Sequence, residues 1–296
     1  MDRKKQFIEE QPSLWNSIPD PSNLKMDSDK LPQVLEQPRI SPKSSKRRSK
    51  KENVKALQDL LLKEGLWAVK RADQFVDDES FIADLEANLS QNSAETRKRY
   101  ATSLIKWFFP DGPQGFASKV WINYQDEVLQ YEILRALYLR AEPIVGNCIA
   151  DALFPIQDGS TIPSSYLVNF LRTNIATDVS EKTISRLKMN LRKLGFLYRE
   201  KNGKDTLRSL NPLSTAFFLV FHFLFAKTET TSVELRNILS DPFWKHLGYK
   251  SEDAIRKIFK SAEHQKLLSK YIVADRLESV TTRYSLMELL ERKIRL

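Results

Sequence analysis

The sequence predicts a mainly α-helical protein carrying small β-hairpins, and three observations in its 296 residues support this. From Val54 to about Phe154 apolar residues recur at helical spacing with no sustained alternation, the pattern of an all-α bundle. Between Pro163 and Leu210 the order is helix, turn, helix, hairpin, that of a winged helix-turn-helix. A partial copy follows 71 residues on: Ser180-Glu181-x-x-Ile184 recurs as Ser251-Glu252-x-x-Ile255, Leu187 as Ile258, and Phe196-Leu197 as Leu267-Leu268. The expected organisation is a disordered basic tail (1–53), the bundle (54–158), a winged helix-turn-helix with a following buried helix (159–227) and a second winged-helix-like module (228–296).

The tail prediction rests on prolines at 12, 19, 21, 32, 38 and 42, each disfavouring helix at the residue before it. It ends in PKSSKRRSKK, where Lys43, Lys46, Arg47, Arg48, Lys50 and Lys51 lie in nine positions without apolar neighbours. Such a run serves as an electrostatic arm for nucleic acid, as a nuclear-import signal if the source has a nucleus, or as a solvated linker.

In the bundle, Val54, Leu57, Leu61 and Leu62 share helical spacing, as do Phe81, Leu85 and Leu89. Ser93 caps a segment containing Leu104, Ile105, Phe108 and Phe109 that Pro110-Asp111-Gly112 ends. Trp121 to Ala141 reads as the longest helix, and Pro143 begins another through Cys148 to Phe154. After Gly159 come a helix from Pro163 to Thr173, a turn at Thr177-Asp178, and a helix from the cap Ser180 to Leu194, closed by Gly195. The strand FLYRE, the Asn202-Gly203 turn and a strand over Leu207 to Leu210 form the hairpin. In the second copy, Tyr271 to Ala274 and Val280 to Ser285 pair around Asp275-Arg276.

Charge locates the candidate contacts. The formal net charge is +9 with a pI near 9.4, but it is +4 over 1–53, −5 over 54–179, +6 over 180–212 and +4 over 213–296. On a wheel of about 100° per residue, Ile184, Leu187, Leu191 and Leu194 share one stripe of about 80°. Lys182, Ser185, Arg186, Met189, Arg192 and Lys193 point to the opposite half. A dry side backed by a basic, hydroxyl-bearing side is what a helix needs to enter a major groove. The hairpin adds Arg199, Lys201, Asn202, Lys204 and Arg208 as phosphate contacts. Arg186 is the expected base reader, because a guanidinium bonds guanine O6 and N7 together. The second helix offers Arg256, Lys257 and Lys260 beside Asp253 and Glu263, a mixed charge that suits dimerisation or partner docking as well as DNA. The tail cations Lys46, Arg47, Arg48, Lys50 and Lys51 join these as secondary contacts. Arg97-Lys98-Arg99 is a local cluster that could touch a phosphate in the otherwise acidic bundle.

Other functions find little support. The 41% apolar content argues against wholesale disorder. One cysteine, Cys148, excludes a disulfide framework or a cysteine-built zinc site. His222, His246 and His264 show no HxxxH or HExxH spacing, and no GxxxxGK[ST] or GxGxxG occurs. No catalytic residue, metal or cofactor is expected. The start MDRKKQFIEEQ is polar, unlike a secretory signal, and the apolar run Ala216 to Ala226 is too short to span a bilayer. The expected location is therefore the cytoplasm, or the nucleus if the source has one, with no membrane partner.

Three stretches, NLSQNSAETRKRYATSLIKWF, YEILRALYLRAEPIVGNCIADALF, and VSEKTISRLKMNLRKLGFLYRE with LRSLNPLS, resemble the BrxA proteins of bacterial BREX (bacteriophage exclusion) systems over about residues 75–225. The resemblance implies a non-enzymatic DNA-binding accessory protein of anti-phage defence, with a helical domain like that of the antitermination factor NusB and a winged-helix part. The basic tail and the module after about Thr228 depart from that pattern. The expected partner is double-stranded DNA, with other defence components on the acidic bundle and homo-oligomerisation as further options. The rival reading is a scaffold whose winged-helix folds dock other proteins.

Overall fold

The side chains of Asp77, Ser93, Asp126, Ser180, Ser251 and Ser285 cap helices in a computed structural model that describes residues 57–174, 179–274 and 277–296. The tail with its Lys43–Lys51 run, and the turns at Thr177-Asp178 and Asp275-Arg276, lie outside the described residues. Among these, the chain is mainly helical, with two small antiparallel three-stranded sheets.

The first part holds α1 (Leu62–Val69), a 3-10 turn (Ala72–Gln74), α2 (Asp78–Asn88), α3 (Ala94–Phe108), α4 (Phe116–Tyr124), α5 (Glu127–Ala141) and α6 (Pro143–Asn147), which runs on into a π-helical turn (Cys148–Leu153). Asp77 and Ser93 accept from the backbone N–H groups of Ser80 and Thr96, capping α2 and α3. Two expectations are corrected here. Residues 57–61 do not extend the first helix but run as an irregular segment with Leu57, Leu60 and Leu61 buried. Trp121 to Ala141 is not one helix: Gln125 turns left-handed at φ 48°, and Asp126 restarts the chain by accepting from Val128 and Leu129 N–H. The helical periodicity spans both pieces, so apolar spacing alone concealed the break. Close approach is built in at Gly65, where an added Cβ would lie 2.5 Å from the Phe108 ring.

The two following parts repeat one topology. β1 (Thr161–Ile162), α7 (Ser164–Asn174), α8 (Glu181–Lys193), β2 (Leu197–Arg199) and β3 (Asp205–Leu207) form a sheet of order β1-β3-β2. After α9 (Ser214–Phe225) come β4 (Ser232–Glu234), α10 (Leu235–Ser240), α11 (Phe243–Leu247), α12 (Glu252–His264), β5 (Leu268–Ala274) and β6 (Leu277–Thr282), in order β4-β6-β5, and then α13 (Leu286–Glu291). The 71-residue offset holds at the level of single hydrogen bonds. Ser180 and Ser251 cap α8 and α12 alike. At the far ends, Phe196 N–H reaches Leu191 O at 3.0 Å and Leu267 N–H reaches Ala262 O at 2.8 Å, the same left-handed helix stop. The residue that turns left is Gly195 in the first copy (φ 87°) and Lys266 in the second (φ 58°).

The hairpins differ from expectation in detail. β3 spans 205–207, not 207–210: Leu207 pairs with Leu197, the first residue of β2, so the ladder ends there, and the β2–β3 loop covers residues 200–204 rather than the two an Asn-Gly turn suggests. Glu200 N–H bonds Lys204 O and Gly203 N–H bonds Glu200 O, so Gly203 (φ 82°) follows a wider turn. The boundary after the first hairpin also moves. Phe217 of α9 stacks on Phe243 and meets Tyr249 and Phe259 edge-on, so this largely buried helix, expected with the first copy, packs into the core of the second. From residue 57 onward the described segments form one unit. α5 runs through its middle, packed on α1, α3, α4, α9 and α11.

Candidate nucleic-acid interface

α8 buries the stripe the wheel assigns: Leu187 and Leu191 are fully buried, Leu194 nearly so, and Ile184 is half-buried. Its polar half, however, is only partly open. The 57–60 segment crosses α8 and is tied to it at three successive turns. Arg186 Nη1 donates to Leu57 O at 2.8 Å and its Nε lies 3.5 Å from Asp59. Asn190, completely buried, accepts from Leu60 N–H and donates to Gln58 O and to the Tyr138 hydroxyl, at 2.8–2.9 Å. Lys193 Nζ donates to Leu60 O at 2.8 Å.

Arg186 is therefore not the free base reader expected of it; its guanidinium holds the entry of the chain onto the helix. Arg186→Ala should cost about 1.5–3 kcal/mol of stability, the range for a hydrogen bond from a charged group, with little effect on the salt dependence of DNA binding. A urea titration beside a binding series checks both halves.

Arg192 is likewise occupied. Its Nε and Nη2 form a fork with the carboxylate of Asp205 at 2.7 and 2.8 Å, Asp205 is 4% exposed, and Lys188 Nζ lies 3.7 Å from the same carboxylate. The pair clamps α8 to β3 and so fixes the hairpin's angle to the helix. Asn202 is a turn residue rather than a contact residue: its Oδ1 accepts from Lys204 N–H and its Nδ2 donates to Glu200. Hydrogen bonds from Thr206 first, and then Asn202, hold the Glu200 carboxyl below the usual range, so one fixed negative charge sits in the hairpin.

What remains open is narrower and well defined. Lys182 and Ser185 are exposed and Met189 is half-buried, one stripe at i, i+3 and i+7 along α8. Arg199, Lys201, Lys204 and Arg208 are exposed on the hairpin. Among the described residues none of Lys182, Arg199, Lys201, Lys204 or Arg208 has an ion-pair partner. Five exposed cations within 27 residues, on adjoining elements, can neutralise phosphates of one polyanion.

In the second copy Arg256 is withdrawn from contact, held by Glu278 at 3.0 Å, Glu252 at 3.2 Å and Asp253 at 3.4 Å, whereas Lys257 and Lys260 are exposed. In the bundle, Arg97 donates to the Glu86 and Gln91 carbonyls, leaving Lys98 and Arg99 as the exposed members of that cluster. Burial pushes the Cys148 thiol up to about 12, so it is an inert core group. Among the described residues no cluster of three or more His, Cys, Asp or Glu could hold a metal, and no helix is long and apolar enough to cross a membrane.

Asn190 and Asp205 were missed as determinants of the site. Asn190 lies at the margin of the dry stripe, where a polar residue needs partners, but those partners come from the 57–60 segment, about 130 positions earlier, and from Tyr138 on α5. No protein-family model, curated protein or solved structure matches the chain.

Proposed function

We propose that the protein is a non-enzymatic, duplex-DNA-binding accessory protein of a BREX-type anti-phage system, with a NusB-like helical part and winged-helix modules. The observation that carries the DNA reading is the set of exposed, unpartnered cations Lys182, Arg199, Lys201, Lys204 and Arg208 on α8 and its hairpin. The strand–helix–helix–strand–strand order with sheet order β1-β3-β2 supports the winged-helix reading. In this mechanism the exposed stripe Lys182–Ser185–Met189 faces the groove while the hairpin cations hold the backbone. With Arg186 and Arg192 engaged inside the fold, phosphate contacts outweigh base contacts, and the protein binds duplexes with little sequence preference. Log affinity falls linearly with log salt, and Lys201→Ala with Lys204→Ala reduces that slope by about 1.8, at about 0.9 per neutralised phosphate. Fluorescence anisotropy over a salt series measures it, and an unchanged slope refutes the hairpin assignment.

A second reading has its own observation. Val76, Ile122 and Val128 of the acidic bundle are 84%, 47% and 63% exposed. Apolar side chains in water on a net-negative part favour a protein partner there, as in a scaffold that docks other defence components. A protein that gives no shift of random duplex at moderate salt would be that scaffold and not a DNA-binding one.

A further inference from the structure

We propose that α12, in the second repeat, carries an open duplex-DNA-binding face of its own, more accessible than that of α8; this rests on the DNA-binding reading above. The 71-residue correspondence pairs positions directly. Arg186, Met189, Lys193 and Arg199 of the first copy correspond to Lys257, Lys260, His264 and Lys270 of the second. In the first copy, Arg186 and Lys193 are spent on the carbonyls of Leu57 and Leu60. In the second, no chain segment is tied across α12 in that way among the described residues, and Lys257, Lys260 and His264 are all exposed. They fall at i, i+3 and i+7, one line along the helix.

The acidic residues at this line have partners of their own, including Asp253, which lies on the line itself. Glu263 accepts the Tyr271 backbone N–H at 2.8 Å, and Glu252 and Asp253 both pair with Arg256. Arg256, the one cation of α12 that is neutralised, lies on the flank facing Glu278 of β6. Lys257, Lys260, Lys266 and Lys270 have no ion-pair partner among the described residues. The charge of this face is still mixed, because Asp253 lies on the same line four residues before Lys257, but the open lysines outnumber it.

Lys266 is a separate pointer. It occupies the left-handed helix stop at φ 58°, where the first copy has Gly195. A side chain there is strained relative to glycine, yet the position holds an exposed lysine at the end of α12 and the start of β5. A cation kept where the backbone favours glycine fits a site that uses its charge. The helix line followed by β5, an edge strand of its sheet, matches the helix-plus-wing geometry that spans a B-form major groove and the phosphates beside it.

The test uses the full chain and a random duplex in a salt series. Replacing Lys257, Lys260 and Lys270 together by alanine should reduce the log–log slope by about 2.7, at about 0.9 per phosphate. Lys266→Gly should weaken binding while leaving thermal stability equal or higher, an outcome that a merely structural lysine would not give. An unchanged slope in the triple variant overturns the proposal. If Lys201→Ala with Lys204→Ala still flattens the slope in that case, the first-repeat reading survives alone; if the unaltered protein shows no salt-dependent duplex binding, both fall. Tighter binding of an RNA duplex of equal length overturns the assignment to DNA.

Discussion

Replacing Arg135 by alanine is expected to destabilise the protein by about 3–5 kcal/mol, the cost of stranding one member of a buried ion pair. Arg135 lies on α5 where three parts of the fold meet. Its Nη2 donates to Leu247 O at the end of α11, at 2.9 Å. Its guanidinium lies 5.9 Å from the Phe196 ring, which leads into the first hairpin. Glu132, one turn earlier on the same helix, stands 3.6 Å away and accepts the Leu213 backbone N–H at 2.9 Å, just before α9. Both side chains are about nine-tenths buried. Burial pushes the Glu132 carboxyl up and the Arg135 guanidinium down, and each charge opposes the other's shift. Removing Arg135 leaves Glu132 charged without its counter-ion, frees Leu247 O and opens a cavity between both repeats and the bundle. Arg135→Met with Glu132→Gln keeps most of the volume and an acceptor for Leu213 without a stranded charge, and should recover a large part of the loss. The urea midpoints of the two variants decide the matter. A loss below about 1 kcal/mol in Arg135→Ala would mean the pair does not hold the parts together.

The helical character of the chain, its repeat and the serine caps at 93, 180 and 251 were legible in the sequence, because each depends on residues a few positions apart, whereas the cap at Asp126 was not. Ser93, Ser180 and Ser251 cap where their spacing places them, and Leu187, Leu191 and Leu194 bury as the wheel requires. The candidate site was legible only as a set of charges. Which charges are free depends on pairings across long separations: Arg186 with Leu57, Lys193 with Leu60, Arg256 with Glu278. Helical periodicity reports which side of a helix is dry. It does not report that a distant irregular segment lies over part of the wet side, because that segment's carbonyls belong to every residue type equally. The two helices therefore exchange rank. α8 has the more basic sequence and the more covered face, while α12 has the mixed sequence and the less covered one among the described residues.

Acidification should unfold the protein in the window from about pH 6.5 to about pH 4, well before general carboxylate titration accounts for it. His222 on α9 is fully buried between Phe218 and Phe221, with Nδ1 against Phe218 O at 2.9 Å and Nε2 without a partner. His246 on α11 is 5% exposed, its Nε2 also unpartnered among the described residues, with the Gly146 backbone and then Asp241 favouring its charged form and Arg140 and Lys245 opposing it. Burial lowers both histidines to about 4. The unfolded chain binds these protons near 6.5 and the folded chain does not, so their contribution is complete above pH 6.5 and is lost as pH falls towards 4. The gap from 6.5 to about 4, at about 1.36 kcal/mol per pH unit, is worth about 3 kcal/mol for each histidine. Two such groups approach the whole stability of an ordinary domain. Glu132 works in the opposite sense, since its raised carboxyl gains a proton more readily in the folded state, so it does not account for a loss in this window. Urea titrations at pH 7, 5.5 and 4.5 should show a steep fall for the natural chain. His222→Phe with His246→Gln should fall much less between the first two pH values, because neither substituent can be protonated. An equal fall in both proteins would place the acid sensitivity outside the two histidines.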